Sequence, residues 1–374
     1  MHAILRPYAT AGVVIAGSGL IAATPVMAPA PAVASAVEVA LTAGLSDPWQ
    51  DVYNDASTNT STLINNYMLA PGIAWQQLYA NVMGYTQQFL DDPSSSTLAA
   101  INTQIQQHLQ GVLTGWALEN APDTSAAQVT VHTLDGTGLL NGHAFLFNQV
   151  PSFLPPDVDP DTVTPILNFL ASPLSGVIFG SLGPGIAPWI AMMNSIGEGD
   201  SFNEILASMW GGFLNGAILN LDSVLPAIND AGFLPVGMSL DSLDIAFGGL
   251  LSTGTVSVGP YQVLGEGGAV VAEVPAVGGS IFNAIGLQMV GVPVLNQIAV
   301  DAQAIGPIAA WQAWGQTVGA LLGSGWDGKG AVVVTPPAVG VDLPILPDLD
   351  DGGMSADSTN FFAGIESLFD GLFG

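Results

Sequence analysis

Few side chains in this sequence are of a type that does chemistry. Three histidines, His108, His132 and His143, could serve as acid–base groups or metal ligands away from the amino terminus. None has the H-E-x-x-H or paired-ligand spacing, so each reads as a hydrogen-bonded polar residue rather than a catalyst. Cysteine is absent, which removes thiolate nucleophiles and disulfide staples together. No serine sits in a G-x-S-x-G elbow, and no P-loop or G-x-G-x-x-G joins a strand to a helix. Two acidic clusters have the donor type of a hard-cation site. Asp157, Asp159 and Asp161 alternate as in the first half of a calcium loop, but the loop's Gly and closing Glu are missing and Pro160 lies inside. Asp348, Asp350 and Asp351 form the other cluster. Solvated linker carboxylates are the better reading of both, with cation binding as the alternative. The expectation is a non-enzyme with no catalytic, cofactor-binding or metal residue to assign and no cofactor.

The charge balance narrows the partners. Two basic side chains, Arg6 and Lys329, face 30 acids, for a formal net charge of −28. Such a chain cannot neutralise phosphates, which excludes nucleic acid as a partner, and anionic headgroups repel it. Stability must rest on burial and neutral hydrogen bonds. Only 9% of residues are charged and 49% are hydrophobic, so the sequence is not a disordered acidic tail.

The amino terminus predicts export. Arg6 supplies a basic n-region, Ala9 to Ala23 an apolar core, and Ala32-Val33-Ala34 an A-x-A cleavage site, with Ser35 the first mature residue. An uncleaved anchor is the alternative.

The elements that must position any site are mostly helical. After a signal peptide at 1–34 and a linker at 35–46, the region 47–150 is an N-terminal helical region. Asp47-Pro48 reads as a helix start, followed by Trp49, Val52, Tyr53, Leu63 and Ile64 at helical spacing. Pro71 opens a second helix with Trp75, Leu78, Tyr79, Val82 and Phe89 on one face, and Asp91-Asp92-Pro93 stops it. A third runs from about Ser96 to Leu118. Together they predict a small amphipathic bundle with Asn and Gln on its outer faces. A short strand is expected at Val129 to Val131. A Pro-rich linker at 151–160 leads into a Gly-rich hydrophobic region, 161–330. There, Thr162 to Gly197, Ile205 to Leu221, Val274 to Val300 and Ala302 to Trp326 carry no charge. They predict hairpins of hydrophobic helices in a core or in lipid. Pro165, Pro173, Pro184 and Pro188 are expected to cut the first run into pieces too short to span a bilayer. Glycines four apart occur at Gly176 and Gly180, at Gly212 and Gly216, and at Gly315, Gly319 and Gly323. Chance is the preferred reading of the two pairs, while for the triple chance and close helix contact stand level. A β-meander is expected from Thr255–Val258, Tyr261–Leu264 and Ala269–Glu273. A Pro/Asp-rich linker, 331–359, precedes an amphipathic tail, 360–374, with Phe361, Phe362, Ile365, Leu368, Phe369, Leu372 and Phe373 on one face. The fold class is therefore mainly α with a small β element. That tail is expected to dock on the body or to insert at a membrane interface.

Several strings resemble one family. They are Leu5–Gly12, Asn215–Asp222, Ala231–Pro235, Leu243–Leu250, Gly278–Asn283, Gly291–Leu295 and Leu322–Gly330. In this order they resemble the GjpA-type outer-membrane porins of mycolic-acid-containing actinobacteria. The resemblance implies an exported protein of the mycolate outer membrane that forms a water-filled channel for small hydrophilic solutes. It implies no catalytic residue. The acids would favour cations over anions in such a pore, and a homo-oligomer is one way to build it. A typical β-barrel porin shows strands of about ten residues with alternating polarity, whereas this sequence is helical in period. A non-channel structural or interaction protein of the envelope is the alternative function.

Overall fold

The computed structural model describes residues 47–69, 71–114, 159–232, 234–254 and 261–323, with residues 142, 143, 146, 256, 332 and 333. The expected signal peptide, the strand at Val129 to Val131, the cluster at Asp348, Asp350 and Asp351, and the amphipathic tail lie outside these residues. Helix makes up 62% of the described region and strand 16%, so the fold is mainly α.

Three helices open the described region: α1 (Asp47–Leu69), α2 (Ile73–Asp91) and α3 (Ser95–Thr114). The first begins at Asp47-Pro48 and the second ends at Asp91, where the sequence signals place them. Amide side chains of later helices donate to carbonyls of the first helix. Asn215 Nδ2 donates to the Val52 carbonyl at 3.1 Å, and Gln312 Nε2 to that of Leu63 at 3.0 Å. Thus α1 rests on helices much later in the chain, and α2 likewise packs on the helix at Pro307–Leu321.

Next come α4 (Pro160–Leu170), α5 (Pro173–Glu198) and α6 (Phe202–Asn215). Here the structure corrects one expectation: Pro184 and Pro188 lie inside α5, which continues through them for 26 residues. An interior proline removes one N–H and costs about 3 kcal/mol. In α5 that cost is outweighed by the packing of one whole face, described below.

The larger sheet has the order β1-β2-β5-β6 and is antiparallel throughout, built from β1 (Ala217–Asn220), β2 (Ser239–Phe247), β5 (Ile285–Val292) and β6 (Asn296–Val300). A short helix, α7 (Leu225–Asp230), joins β1 to β2. This sheet is the second correction. The run Val274 to Val300, expected as hydrophobic helix, contains β5 and β6, and β1 ends the run expected to be helical to Leu221. The physical reason is that β5 is flanked on both edges, so its sequence reads as an apolar run without a clear period. The smaller sheet has the order β4-β3-β7, from β3 (Tyr261–Leu264), β4 (Val270–Val274) and β7 (Val332–Val333). Two of the three expected meander strands are therefore present. The third strand of that sheet is β7, parallel to β3, and Val256 lies outside any strand. The last helix among the described residues is α8 (Pro307–Leu321).

The core lies between α5, the larger sheet and α8. Val177, Phe179, Ala284, Ile305 and Ala310 form its centre, with Phe247, Trp311 and Trp314 packed around them. The Phe179 and Phe247 rings sit 4.9 Å apart. A second cluster of Met289, Val292, Ile298 and Val300 fills the far end of the sheet, with Leu146 against it.

Candidate functional site

The two described histidines are structural ties. His143 is fully buried, and its Nε2 donates to the Ile285 carbonyl at 2.7 Å. His108 bridges α2 and α3: Tyr85 Oη lies 2.6 Å from its Nδ1 and Asn81 Nδ2 3.3 Å. Asn81 also donates to the Leu322 carbonyl after α8. The three-membered group holds two helices and a helix end together. His132 and Asp157 lie outside the described residues, and Asp159 is exposed just before α4. Among the described residues no group of three or more His, Asp or Glu is placed to hold a metal ion.

One acidic pair is well defined. Asp222 Oδ1 accepts from the Leu243 N–H and Oδ2 from Asn220 Nδ2. The Asn220 bond, and then the Leu243 bond, hold the Asp222 carboxyl below the usual range. Its neighbour Asp244 is pushed up, first by burial and then by the Asp222 charge. These contacts fasten β1 to β2 and close on themselves.

The feature that remains is α5, which is divided lengthwise by side-chain size. Its inner face is made of Gly176, Gly180, Gly183 and Ala187. A Cβ on Gly176 would lie 2.2 Å from the Gly279 carbonyl oxygen, one on Gly183 2.1 Å from that of Gly248, and one on Gly180 3.0 Å from that of Gly306. Helix and loop backbones are therefore in direct contact. Gly212 of α6 meets the Ala187 carbonyl in the same way, at 2.7 Å. The spaced glycines in both pairs thus mark close approach, contrary to the chance reading. In the triple, Gly315 faces open space and only Gly319 is close to a neighbour, Ile73.

The outer face of α5 is bulky and exposed. Leu174, Ile178, Leu182, Ile186, Trp189, Met193 and Ile196 recur every three or four residues along the whole helix. Trp189 is 59% exposed and Met193 69%. Phe202, Leu206 and Trp210 are exposed on α6, and Ile166 and Phe169 on α4. An apolar surface this continuous marks an interaction face. Among the described residues α5 is the one helix long and apolar enough to cross a membrane, by length and composition.

The α5–α6 turn is tightly specified. Gly199, at φ 86°, ends α5, and Ser201 caps α6 in a reciprocal box with Glu204. The Ser201 side-chain and backbone bonds hold the Glu204 carboxyl below its ordinary range. Ser195 Oγ donates to Asp200. The acids of the hairpin therefore gather at this one end, and no charged residue occurs from Thr162 to Gly197.

Sequence reading missed this surface because it followed hydrophobicity, which is nearly uniform around α5. The available signal was size: glycines at one helical phase and large side chains at the opposite one.

Comparison with protein-family models, with curated proteins and with solved structures finds no match.

Proposed function

We propose that the protein works in the outer envelope as a porin-like channel for small hydrophilic solutes, with a preference for cations, as its resemblance to the GjpA-type porins implies. The observation that carries this reading is the apolar outer face of α5, which runs unbroken by charge for the length of the helix. In this reading α1–α3 form an amphipathic N-terminal bundle, and the Gly-rich region 161–330 meets lipid. The inner face of α5 is sealed against backbone, so the water path runs between copies of the chain in a homo-oligomer. No Lys or Arg occurs among the described residues. A passing anion would find no basic side chain there to offset its dehydration, while carboxylates and carbonyls favour a cation.

The test is a reversal potential in a planar bilayer under a salt gradient. Cation selectivity is expected. It should fall as salt rises, since exposed carboxylates are screened within about 10 Å at 0.1 M, and as pH drops toward the carboxylate pKa of about 4. Anion selectivity would refute the electrostatic argument.

A second reading is a non-channel structural or interaction protein of the envelope. The sealed inner face of α5 favours it, because a helix with one free face needs a single apolar layer or partner and no lumen. Recovery in the outer-envelope detergent extract without conductance would select this reading.

A further inference from the structure

We propose that the α5–α6 hairpin is a monotopic anchor, in which α5 lies in the plane of a lipid layer with neutral headgroups and inserts only its outer face. The proposal rests on the second reading above, an envelope protein without a lumen, and names the partner of the same surface.

The geometry of the inner face sets the orientation. At about 1.5 Å per residue, the 26 residues of α5 are long enough to span hydrocarbon. Spanning, however, would take the inner face across with the outer one. That face is in contact with the backbones of Gly248, Gly279 and Gly306, which belong to the body carrying Asp244 on β2 and the exposed Asp301. Crossing would drag those carboxylates into hydrocarbon or strip α5 from its core, and either is costly. Lying flat leaves the inner contacts intact and places Leu182, Trp189 and Met193 of α5 in the acyl boundary. This is the arrangement of an amphipathic helix at an interface, with the polar side supplied by the rest of the protein.

Charge sets the partner. Interfacial helices usually gain from Lys and Arg on anionic lipid, and the described residues contain neither. The exposed Glu198 and Glu204 stand at the turn of the hairpin. Anionic headgroups therefore repel this surface, and apolar burial into a neutral layer is the remaining drive. The exposed tryptophans, Trp189 on α5 and Trp210 on α6, combine an apolar ring with an N–H that suits the headgroup boundary. The outer face presents large exposed side chains, which fluid acyl chains accommodate without a matching groove.

The experiment uses the full protein, purified from the envelope fraction, with phosphatidylcholine vesicles and with vesicles containing phosphatidylglycerol. Flotation reads binding, and tryptophan quenching by lipids brominated at different depths reads position. The expected result is flotation with phosphatidylcholine, stronger quenching by shallow than by deep bromines, and weaker binding to phosphatidylglycerol at low ionic strength that recovers with salt. The double variant Leu182→Asn, Met193→Gln alters two exposed side chains. It should keep its circular dichroism and melting while losing roughly 20-fold in binding. Four results would each overturn the proposal: equal or stronger binding to anionic vesicles, dominant quenching at the bilayer centre, undiminished binding by the folded variant, or no flotation with either lipid. The last would assign the face to a protein partner or a second copy. Conductance is not read in this assay, so the vesicle results decide the anchor and the planar-bilayer measurement decides separately whether the protein conducts.

Discussion

Helix α2 carries Trp75, Leu78, Tyr79, Val82 and Phe89 at amphipathic spacing, yet none of its residues is buried. Helix α5 is apolar nearly all round and interrupted by two prolines, yet buries one complete face. What separates them is the size of the side chains at the contact. Helix α2 meets its neighbours at intervals, through Ile73 on Gly319 and through the Asn81, Tyr85 and His108 hydrogen bonds. Helix α5 meets the core through glycines, so backbone lies on backbone and dispersion contacts are dense. The comparison teaches that apolar spacing proposes a face, while the bulk at that face decides how closely another element can approach.

The sharpest way to break this comparison is to empty the core side of α5. Phe179→Ala removes a buried ring stacked near Phe247, and should cost about 3–5 kcal/mol in denaturant unfolding. Leu90→Ser on α2, where the side chain is 67% exposed, should stay within about 0.5 kcal/mol. Similar losses for both would show that α2 is as firmly packed as α5.

A pair of alanines tests the role of size within one helix. Gly183→Ala places a Cβ 2.1 Å from the Gly248 carbonyl oxygen, and backbone cannot swing aside, so a loss of about 2–3 kcal/mol is expected. Gly185→Ala meets nothing within 4 Å and should gain about 0.5–1 kcal/mol from helix propensity alone. Thermal melting of the two variants should therefore move in opposite directions.

The polar ties of the N-terminal helices predict a smaller effect. Tyr85→Phe removes the 2.6 Å hydrogen bond to His108 and should cost about 1 kcal/mol. Hydrogen exchange should quicken in α2 and α3 and remain unchanged in α5. A change spread over α5 would mean the two regions unfold as one.

The smallest effect concerns pH. The folded-state pKa of Asp244 is raised, first by burial and then by Asp222. The native state therefore holds that proton more tightly than the unfolded chain. Stability falls as pH rises from the ordinary carboxylate pKa through the raised one. Asp244→Asn should stabilise the protein at neutral pH by a few tenths of a kcal/mol, because the group is only partly buried and solvent screens it. The gain should vanish below the ordinary carboxylate pKa. Asp222 runs in the opposite sense: its lowered pKa makes its contribution present at neutral pH and lost on acidification through that lowered value. A gain from Asp244→Asn that persisted in acid would point to packing rather than charge.

The sequence by itself determined the helices whose ends carry local signals. Asp47-Pro48 starts α1, Asp91-Asp92-Pro93 ends α2, and Gly-Glu-Gly-Gly turns β3 into β4, because caps, prolines and glycines act through the backbone of their own few residues. The scarcity of Lys and Arg was legible in full. Tertiary structure alone decided the course of the chain through Pro184 and Pro188, the strand state of β5 and β6, and which glycines are contacts. Each of these depends on what lies opposite. A proline's lost N–H is tolerated when the surrounding packing outweighs it. An apolar run takes the strand period when partners occupy both its edges. Gly183 becomes a contact, and Gly315 does not, because the Gly248 carbonyl stands against the first and open space against the second. The exposed face of α5 belongs to both sources: its large side chains and their phase are written in the sequence, but only the fold, by closing the glycine side against the core, left the other side uncovered.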